Sequence, residues 1–480
     1  MTGGMHGADV AQLRDAASDF DRKAQELEAI RTLLSSSVSR APWRGGDAEQ
    51  FRGEWNGAHS RSLTAAAQRL HDAATALRRN ADAQEQTSAA AGGALLGAGA
   101  GGATGGSTGP SGPYGGSAAH PPADATAAEV ARWWDSLTEA QRDRLLADDP
   151  GLLGRTDGIP AAVRDEANRA FLESELDRLR DEEPPRYAGR GSNPQWTLWH
   201  DQLETLENAQ AMLRADRSLS LLLLDTRDGR IELALAVGDV DSADHVGVYT
   251  QGLFSNTADG EGVQDQAQRI KELDRTARSL LIGDGRGDES TAMVMWMGYD
   301  SPQNVVDVLF DDQANAGAAR LASFADGIRA VNADTHLTGL GHSYGSLVTG
   351  IAARETEAFD SVAVFGSPGI NGDLADVNVD ADRFYVLANP GDPVALSGKF
   401  GGNPVELDGA QQLSTAPSAG LSGKEPPSGW LIAAPLVSPL GLIPLGDYAL
   451  DQHTSYLVDK STSQHNLAAV VVGAEDRMIR

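Results

Sequence analysis

Apolar residues along the first ninety positions recur every three or four residues. One stripe runs through Val10, Leu13, Ala17, Phe20, Ala24, Leu27, Ile30 and Leu34. A second runs through Ala48, Phe51, Trp55, Leu63, Ala66, Leu70, Ala73 and Leu77, interrupted at His59. This spacing keeps one face of a helix apolar. Between the stripes, Pro42, Gly45 and Gly46 break the helix. Two stripes facing each other across a short turn predict an antiparallel helical hairpin over residues 1–90. Residues 91–127 are rich in Gly, Ala, Ser and Pro. That composition buries too little apolar surface to order itself, so it reads as a linker.

Residues 128–480 read as a second domain. Its first part, 128–216, is a helical extension, with periodic segments at 161–179 and 196–214 and with Ser136 and Glu139 at capping-box spacing. From about 219 the period changes. Apolar runs at 221–224 and 231–237 flank Arg227-Asp228-Gly229-Arg230, a hairpin signal. Strand-like runs follow at 245–250, 291–297, 335–340, 361–365 and 383–388. Helical runs lie between them at 263–281, 314–331 and 347–354. A hairpin followed by alternating strands and helices predicts an α/β fold, with a mostly parallel sheet and helices on both faces. Residues 395–450 are long, irregular and rich in Gly, Pro and apolar residues, including Trp430 and Ile443. They read equally as a cap over a site and as filler at the edge of a core.

Charge narrows the function. The chain of 480 residues carries 39 basic and 68 acidic side chains, a net charge of −29. The first hairpin holds 11 basic and 12 acidic residues, so the excess lies further along. A strongly acidic chain is a poor match for nucleic acid or for an anionic membrane surface. Length alone suggests about three domains. With no cysteine, disulfides, thiolate metal sites and a cysteine nucleophile are excluded. Met1–Asp9 has no apolar core of the kind a signal peptide needs, and no clean run of about 20 apolar residues predicts an integral membrane segment. Localisation is left open between the cytoplasm and export by a route that reads no ordinary leader.

The sharpest local signal is Gly341-His342-Ser343-Tyr344-Gly345, between a predicted strand and a predicted helix. A strand that turns sharply into a helix presents a serine on strained backbone at the end of a sheet. The flanking glycines allow the close approach this needs. Ser343 is the candidate nucleophile and His342 a candidate substrate contact. A serine nucleophile needs a base and an orienting acid. In the strand–turn–helix class the chain order is Ser, acid, His. Of ten histidines only His453 and His465 follow Ser343, and His453 is favoured. Asp392 follows an apolar strand and a Pro-Gly turn and is the favoured acid; Asp451 is its rival. Asp373, Asp376 and Asp380 precede that strand and are poorly placed. Two donors for an oxyanion are expected from the backbone of Tyr344 and from the loop holding Gly252. Tyr299 and Asp300, in the loop Gly298-Tyr299-Asp300-Ser301-Pro302, are candidate substrate contacts, although Asp300 reads more readily as a turn cap.

Two resemblances follow. Residues from about 129 to 475 resemble the actinobacterial α/β-hydrolase family of unknown function. The resemblance is carried by Trp133-Trp134 with Asp157-Gly158-Ile159-Pro160, by residues 236–245, by Gly298–Pro302 and by Gly341–Gly345. Gly366-Ser367-Pro368-Gly369, Gly391-Asp392-Pro393-Val394 and the region from His453 to Tyr456 complete it. It implies an α/β-hydrolase fold and a Ser343–Asp392–His453 triad, and it supplies no substrate; the serine-hydrolase reading of the residues expects a small-molecule or lipid ester and no cofactor or metal. Residues 1–90 resemble the WXG-type helical hairpins of type VII secretion, with Trp43-Arg44-Gly45 at the turn. That implies pairing with a partner hairpin or dimerisation. The family's export signal, a Tyr followed by an acidic residue four positions later, is missing, since residues 78–90 contain no Tyr. The readings that follow are a serine hydrolase of esterase type, an acyltransferase with the same triad, or a secretion-associated interaction protein with a vestigial hydrolase domain.

Overall fold

The computed structural model describes scattered positions between residues 14 and 79, and residues 120–480 apart from 122–124, 189–190, 228–229, 253–259, 303–310 and 426–446. Most of the linker, the turn at Trp43 and the Trp430–Ile443 stretch lie outside the described residues; the linker's expected end at 127 is overtaken by a helix that starts at Ala127 and is capped by Thr126. The chain divides into two compact units, Met1–Ser111 and Gly112–Arg480.

In the first unit every described position between 14 and 38 and between 49 and 79 is helical. Ala17 and Ala24 are buried, as are Ala67 and Ala74, each pair seven residues apart on one helix face. Trp55 Nε1 donates to Ser35 Oγ at 3.0 Å, and His71 Nδ1 lies 2.7 Å from Asp21 Oδ1. These contacts run in opposite directions along the two stretches.

The second unit opens with helices α1 (Ala127–Ser136), α2 (Glu139–Asp148), α3 (Pro150–Arg155), α4 (Ala161–Asp181) and α5 (Pro194–Ala215). The capping box expected at Ser136 and Glu139 is displaced. Thr126 with Glu129 caps α1 and Thr138 with Gln141 caps α2, while the Ser136 hydroxyl turns back to the Trp133 carbonyl at 2.6 Å and closes α1. Val130, Trp133, Trp134, Leu145 and Leu153 form a separate small core there.

Eight strands then form one sheet: β1 (Leu219–Asp225), β2 (Glu232–Val237), β3 (His245–Thr250), β4 (Thr291–Met297), β5 (His336–His342), β6 (Ser361–Phe365), β7 (Phe384–Leu387) and β8 (Gln411–Leu413). Their spatial order is β1-β2-β4-β3-β5-β6-β7-β8. β2 is antiparallel to both its neighbours, and every other pairing is parallel. The predicted hairpin is β1–β2. The helices α6 (Gly260–Gly283), α7 (Asp312–Val331), α8 (Tyr344–Glu355), α9 (Asp447–Thr454) and α10 (Thr462–Val471) complete the unit.

The central strands are apolar throughout because both faces are covered. Along β4 the alternation is visible: Met293, Met295 and Met297 enter the core under α6 and α10, while Ala292, Val294 and Trp296 enter the core under α7 and α8. β8 was not expected. It lies within the 395–450 segment and adds three residues to the edge of the sheet beside β7. Among the described residues, no helix is long and apolar enough to cross a membrane.

Candidate active site

β5 ends at His342, and α8 begins at Tyr344. Ser343 makes the corner with φ 57° and ψ −130°, a region that L-residues avoid. The glycines around it are required by space. A Cβ on Gly341 would lie 2.6 Å from Ser346 Cα, and one on Gly345 would lie 2.3 Å from the Thr250 carbonyl oxygen. The Ser343 amide donates to the Phe365 carbonyl on β6 at 3.1 Å, which fixes the corner to the sheet.

Ser343 Oγ donates to His453 Nε2 at 2.8 Å. The opposite ring nitrogen, Nδ1, donates to both carboxylate oxygens of Asp392 at 3.0 Å. Asp392 stands after β7, and His453 lies near the end of α9. All three residues are buried. Asp392 Oδ1 also accepts the Val394 amide at 2.9 Å and the Ala395 amide at 3.3 Å, and Oδ2 accepts the Tyr456 hydroxyl at 2.8 Å. Burial alone would push the Asp392 carboxyl up. The charge of His453 and the hydrogen bonds from His453, Tyr456 and Ala395 outweigh it and hold the group below the usual range. The result is an ionised carboxylate beneath the imidazole.

The loop after β3 packs against this corner. A Cβ on Gly252 would lie 2.7 Å from Ser343 Cβ and 2.8 Å from the Tyr344 amide nitrogen. Gly252 and the Tyr344 amide therefore border the same space beside the serine. The Tyr344 side chain points away, and its hydroxyl accepts the Ala314 amide of α7 at 3.2 Å.

The other expected contacts are placed differently from one another. Tyr299 is buried, stacks on Trp296, and donates its hydroxyl to the Gln251 carbonyl at 2.8 Å. It braces the Gly252 loop from beneath. Burial, followed by the neighbouring tyrosines Tyr344 and Tyr249, raises its phenol well above the usual value. Asp300 is exposed and pairs with Arg230 at 3.1 Å. His342 lies at the centre. Its Nε2 donates to the His453 carbonyl at 2.8 Å, and its ring is 4.9 Å from that of His453. Burial first, then the charge of His453, lowers it to about 3, so it stays neutral. The rivals are engaged elsewhere: Asp451 pairs with Lys424, and His465 bonds the Arg477 carbonyl at 2.9 Å.

The residue reading did not single out Tyr456, Asn389 or Gly366 as site residues. Tyr456 is three positions after His453 and Asn389 three before Asp392. The Asn389 amide donates to the Tyr456 hydroxyl at 2.7 Å, and its side chain donates to the Gln452 carbonyl at 2.5 Å. Gly366, at φ 56°, gives the site room: a Cβ there would lie 3.0 Å from the Tyr456 ring, 3.1 Å from Asp392 Oδ2 and 3.2 Å from His453 Cε1.

Residues 226–401 match the family described as alpha/beta hydrolase, a span that holds Ser343 and Asp392 and stops short of His453. An uncharacterized protein of Mycobacterium tuberculosis is 33% identical over 230 residues, covering 45% of this chain and 86% of its own length. The chain belongs to the alpha/beta hydrolase family. A second uncharacterized M. tuberculosis protein is 30% identical to this chain over 307 residues. That match takes in 58% of this chain, and the chain spans only 45% of that relative's length. Among solved structures, a Trichoderma reesei cutinase in complex with a phosphonate inhibitor is 14% identical with a TM-score of 0.24, covering 47% of this chain and 85% of the cutinase. Family membership and the eight-stranded, mostly parallel sheet agree on the fold.

Proposed function

We propose that this alpha/beta hydrolase cleaves an ester or related acyl bond by a serine mechanism, with a small-molecule or lipid ester as substrate. The observation that carries the reading is Ser343 Oγ at 2.8 Å from His453 Nε2, on a backbone with φ 57°. In this reading Ser343 Oγ attacks the acyl carbon, and His453 Nε2 takes its proton. The imidazolium that forms is stabilised by Asp392, which holds Nδ1–H toward itself and so fixes the tautomer. His453 then gives the proton to the leaving oxygen. Water repeats the sequence on the acyl-enzyme and frees Ser343. The backbone N–H of Tyr344 and one beside Gly252 stabilise the oxyanion, each such donor typically contributing about 3–4 kcal/mol to the transition state.

The neutral His342 supports this reading. A second cation 4.9 Å from the forming imidazolium would oppose it, and burial prevents that charge. The test is hydrolysis of a series of p-nitrophenyl esters of increasing acyl length by the full chain beside Ser343→Ala. Ester cleavage by the wild type and its loss in the variant support the reading; equal rates in the two overturn it. For residues 1–90 we propose a WXG-type hairpin that binds a partner hairpin, supported by the opposed Ser35–Trp55 and Asp21–His71 contacts. Removing residues 1–127 is expected to abolish that binding and leave ester cleavage unchanged.

A further inference from the structure

We infer that Tyr456 is a positioning residue that sets the basicity of His453 through Asp392, as a fourth member of the hydrogen-bonded row Ser343–His453–Asp392–Tyr456. The inference rests on the triad reading for its catalytic consequence, but not for its geometry.

The direction of the hydrogen bond from Tyr456 to Asp392 is fixed. The Tyr456 hydroxyl accepts the Asn389 amide at 2.7 Å, and a backbone N–H can only donate. The single phenol proton is therefore directed at Asp392 Oδ2, 2.8 Å away. Tyr456 is fully buried, and burial first, then the adjacent Asp392 charge, raises its phenol well above the usual value. It thus remains a donor throughout the range in which hydrolases work. A carboxylate shared among donors holds less charge toward each of them. Tyr456 therefore weakens the pull of Asp392 on the imidazole.

Local chain geometry is arranged around this contact. Asn389 holds the acid loop to the base helix through its side chain on the Gln452 carbonyl, next to His453, and to the turn just beyond that helix through its backbone amide on Tyr456. Gly366 supplies the space in which the Tyr456 ring, Asp392 and His453 meet. Other groups facing the pair are His342 on β5, held neutral, and Arg269 on α6, which bonds the Thr454 carbonyl and pairs with Asp265. None of them touches Asp392 in place of Tyr456.

Tyr456→Phe keeps the ring and removes the donor. Two readouts are taken on the full chain: the pH dependence of Ser343 labelling by a fluorophosphonate, and the far-downfield proton resonance of His453 Nδ1–H. The expected result is an acid limb moved up by about half to one pH unit and a resonance moved further downfield. Replacement of Tyr456 by 3-fluorotyrosine, a stronger donor of nearly the same size, is expected to move both the opposite way and covers the case in which the Phe variant folds poorly. Unchanged positions of both readouts in folded variants overturn the inference, even where the overall rate falls. A displaced resonance in a chain whose Ser343 never labels sustains the hydrogen-bonded row and overturns the hydrolase reading instead.

Discussion

The two ends of the parallel strands each carry histidine beside a carboxylate, and the two are built differently. At the carboxyl ends, His453 lies between the fully buried Asp392 and Ser343. At the amino ends, His245 opens β3 and His336 opens β5, paired in register with their rings 5.9 Å apart. There His245 Nε2 donates to Glu289 at 2.7 Å, and Arg286 bonds the same carboxylate. Hydrogen bonding from Arg286 first, and then from His245, holds Glu289 at about 2. His336 even faces a serine, with Nε2 3.2 Å from Ser361 Oγ. But Ser361 is buried within the start of β6 on ordinary strand backbone. In the proposed reading, a histidine–carboxylate pair acts as a base toward a nucleophile when its carboxylate is not already neutralised by a guanidinium and the opposite ring nitrogen faces a hydroxyl on a strand-to-helix corner. The carboxyl end has both features, and the amino end has neither.

The largest expected effect separates the two ends outright. Ser343→Ala should lower ester hydrolysis by about 10⁴-fold or more, while Ser361→Ala should leave it within about threefold. A large loss from Ser361→Ala would erase the contrast. Next in size is Gly252→Ala, whose Cβ would press on Ser343 Cβ and the Tyr344 amide. Its expected cost is about 10²- to 10³-fold in kcat with the fold retained. Unimpaired turnover would remove the Gly252 loop from the account.

Stability against pH sharpens the comparison. Burial first, then the charges of His245, Arg383 and Arg329, lower His336 from 6.5 to about 4 against the opposing pull of Asp360. Below pH 6.5 the unfolded chain binds a proton that the folded chain refuses. The contribution is therefore complete above pH 6.5 and is lost as the pH falls toward 4. His336→Gln should reduce the stability difference between pH 7 and pH 4.5, read by urea denaturation, by on the order of 2 kcal/mol. Activity at pH 7 should stay within about threefold. Ser343→Gly should raise stability by about 1 kcal/mol, because glycine relieves the positive φ. The smallest effect is expected from Asp300→Asn, which breaks an exposed pair with Arg230 and should cost under about 1 kcal/mol and under threefold in rate.

The parts of this arrangement that sequence reveals are local. Gly341, Ser343 and Gly345 advertise the corner because the steric demands act within a few residues of the serine. The chain order Ser, acid, His of the strand–turn–helix class then narrows the partners to Asp392 and His453. The eighth strand is three residues long, too short to show a period of two. The capping box at Thr138 was misplaced by two residues because Ser136 offers the same chemistry at the same spacing. Tyr456 and Asn389 matter through contacts that join positions more than 60 residues apart, and no local pattern marks them. His336 and Ser361 show the converse: residue types alone suggest a dyad, and only backbone geometry and the neighbouring ion pairs deny it.

The most direct measurement is mass mapping of the adduct formed by a fluorophosphonate probe on the folded 480-residue chain, with Ser343→Ala and Asp392→Asn beside it. The account predicts one adduct, on the peptide holding Ser343, absent in the first variant and formed far more slowly in the second. A folded chain that takes no adduct, or one modified at another residue with Ser343 untouched, would contradict it.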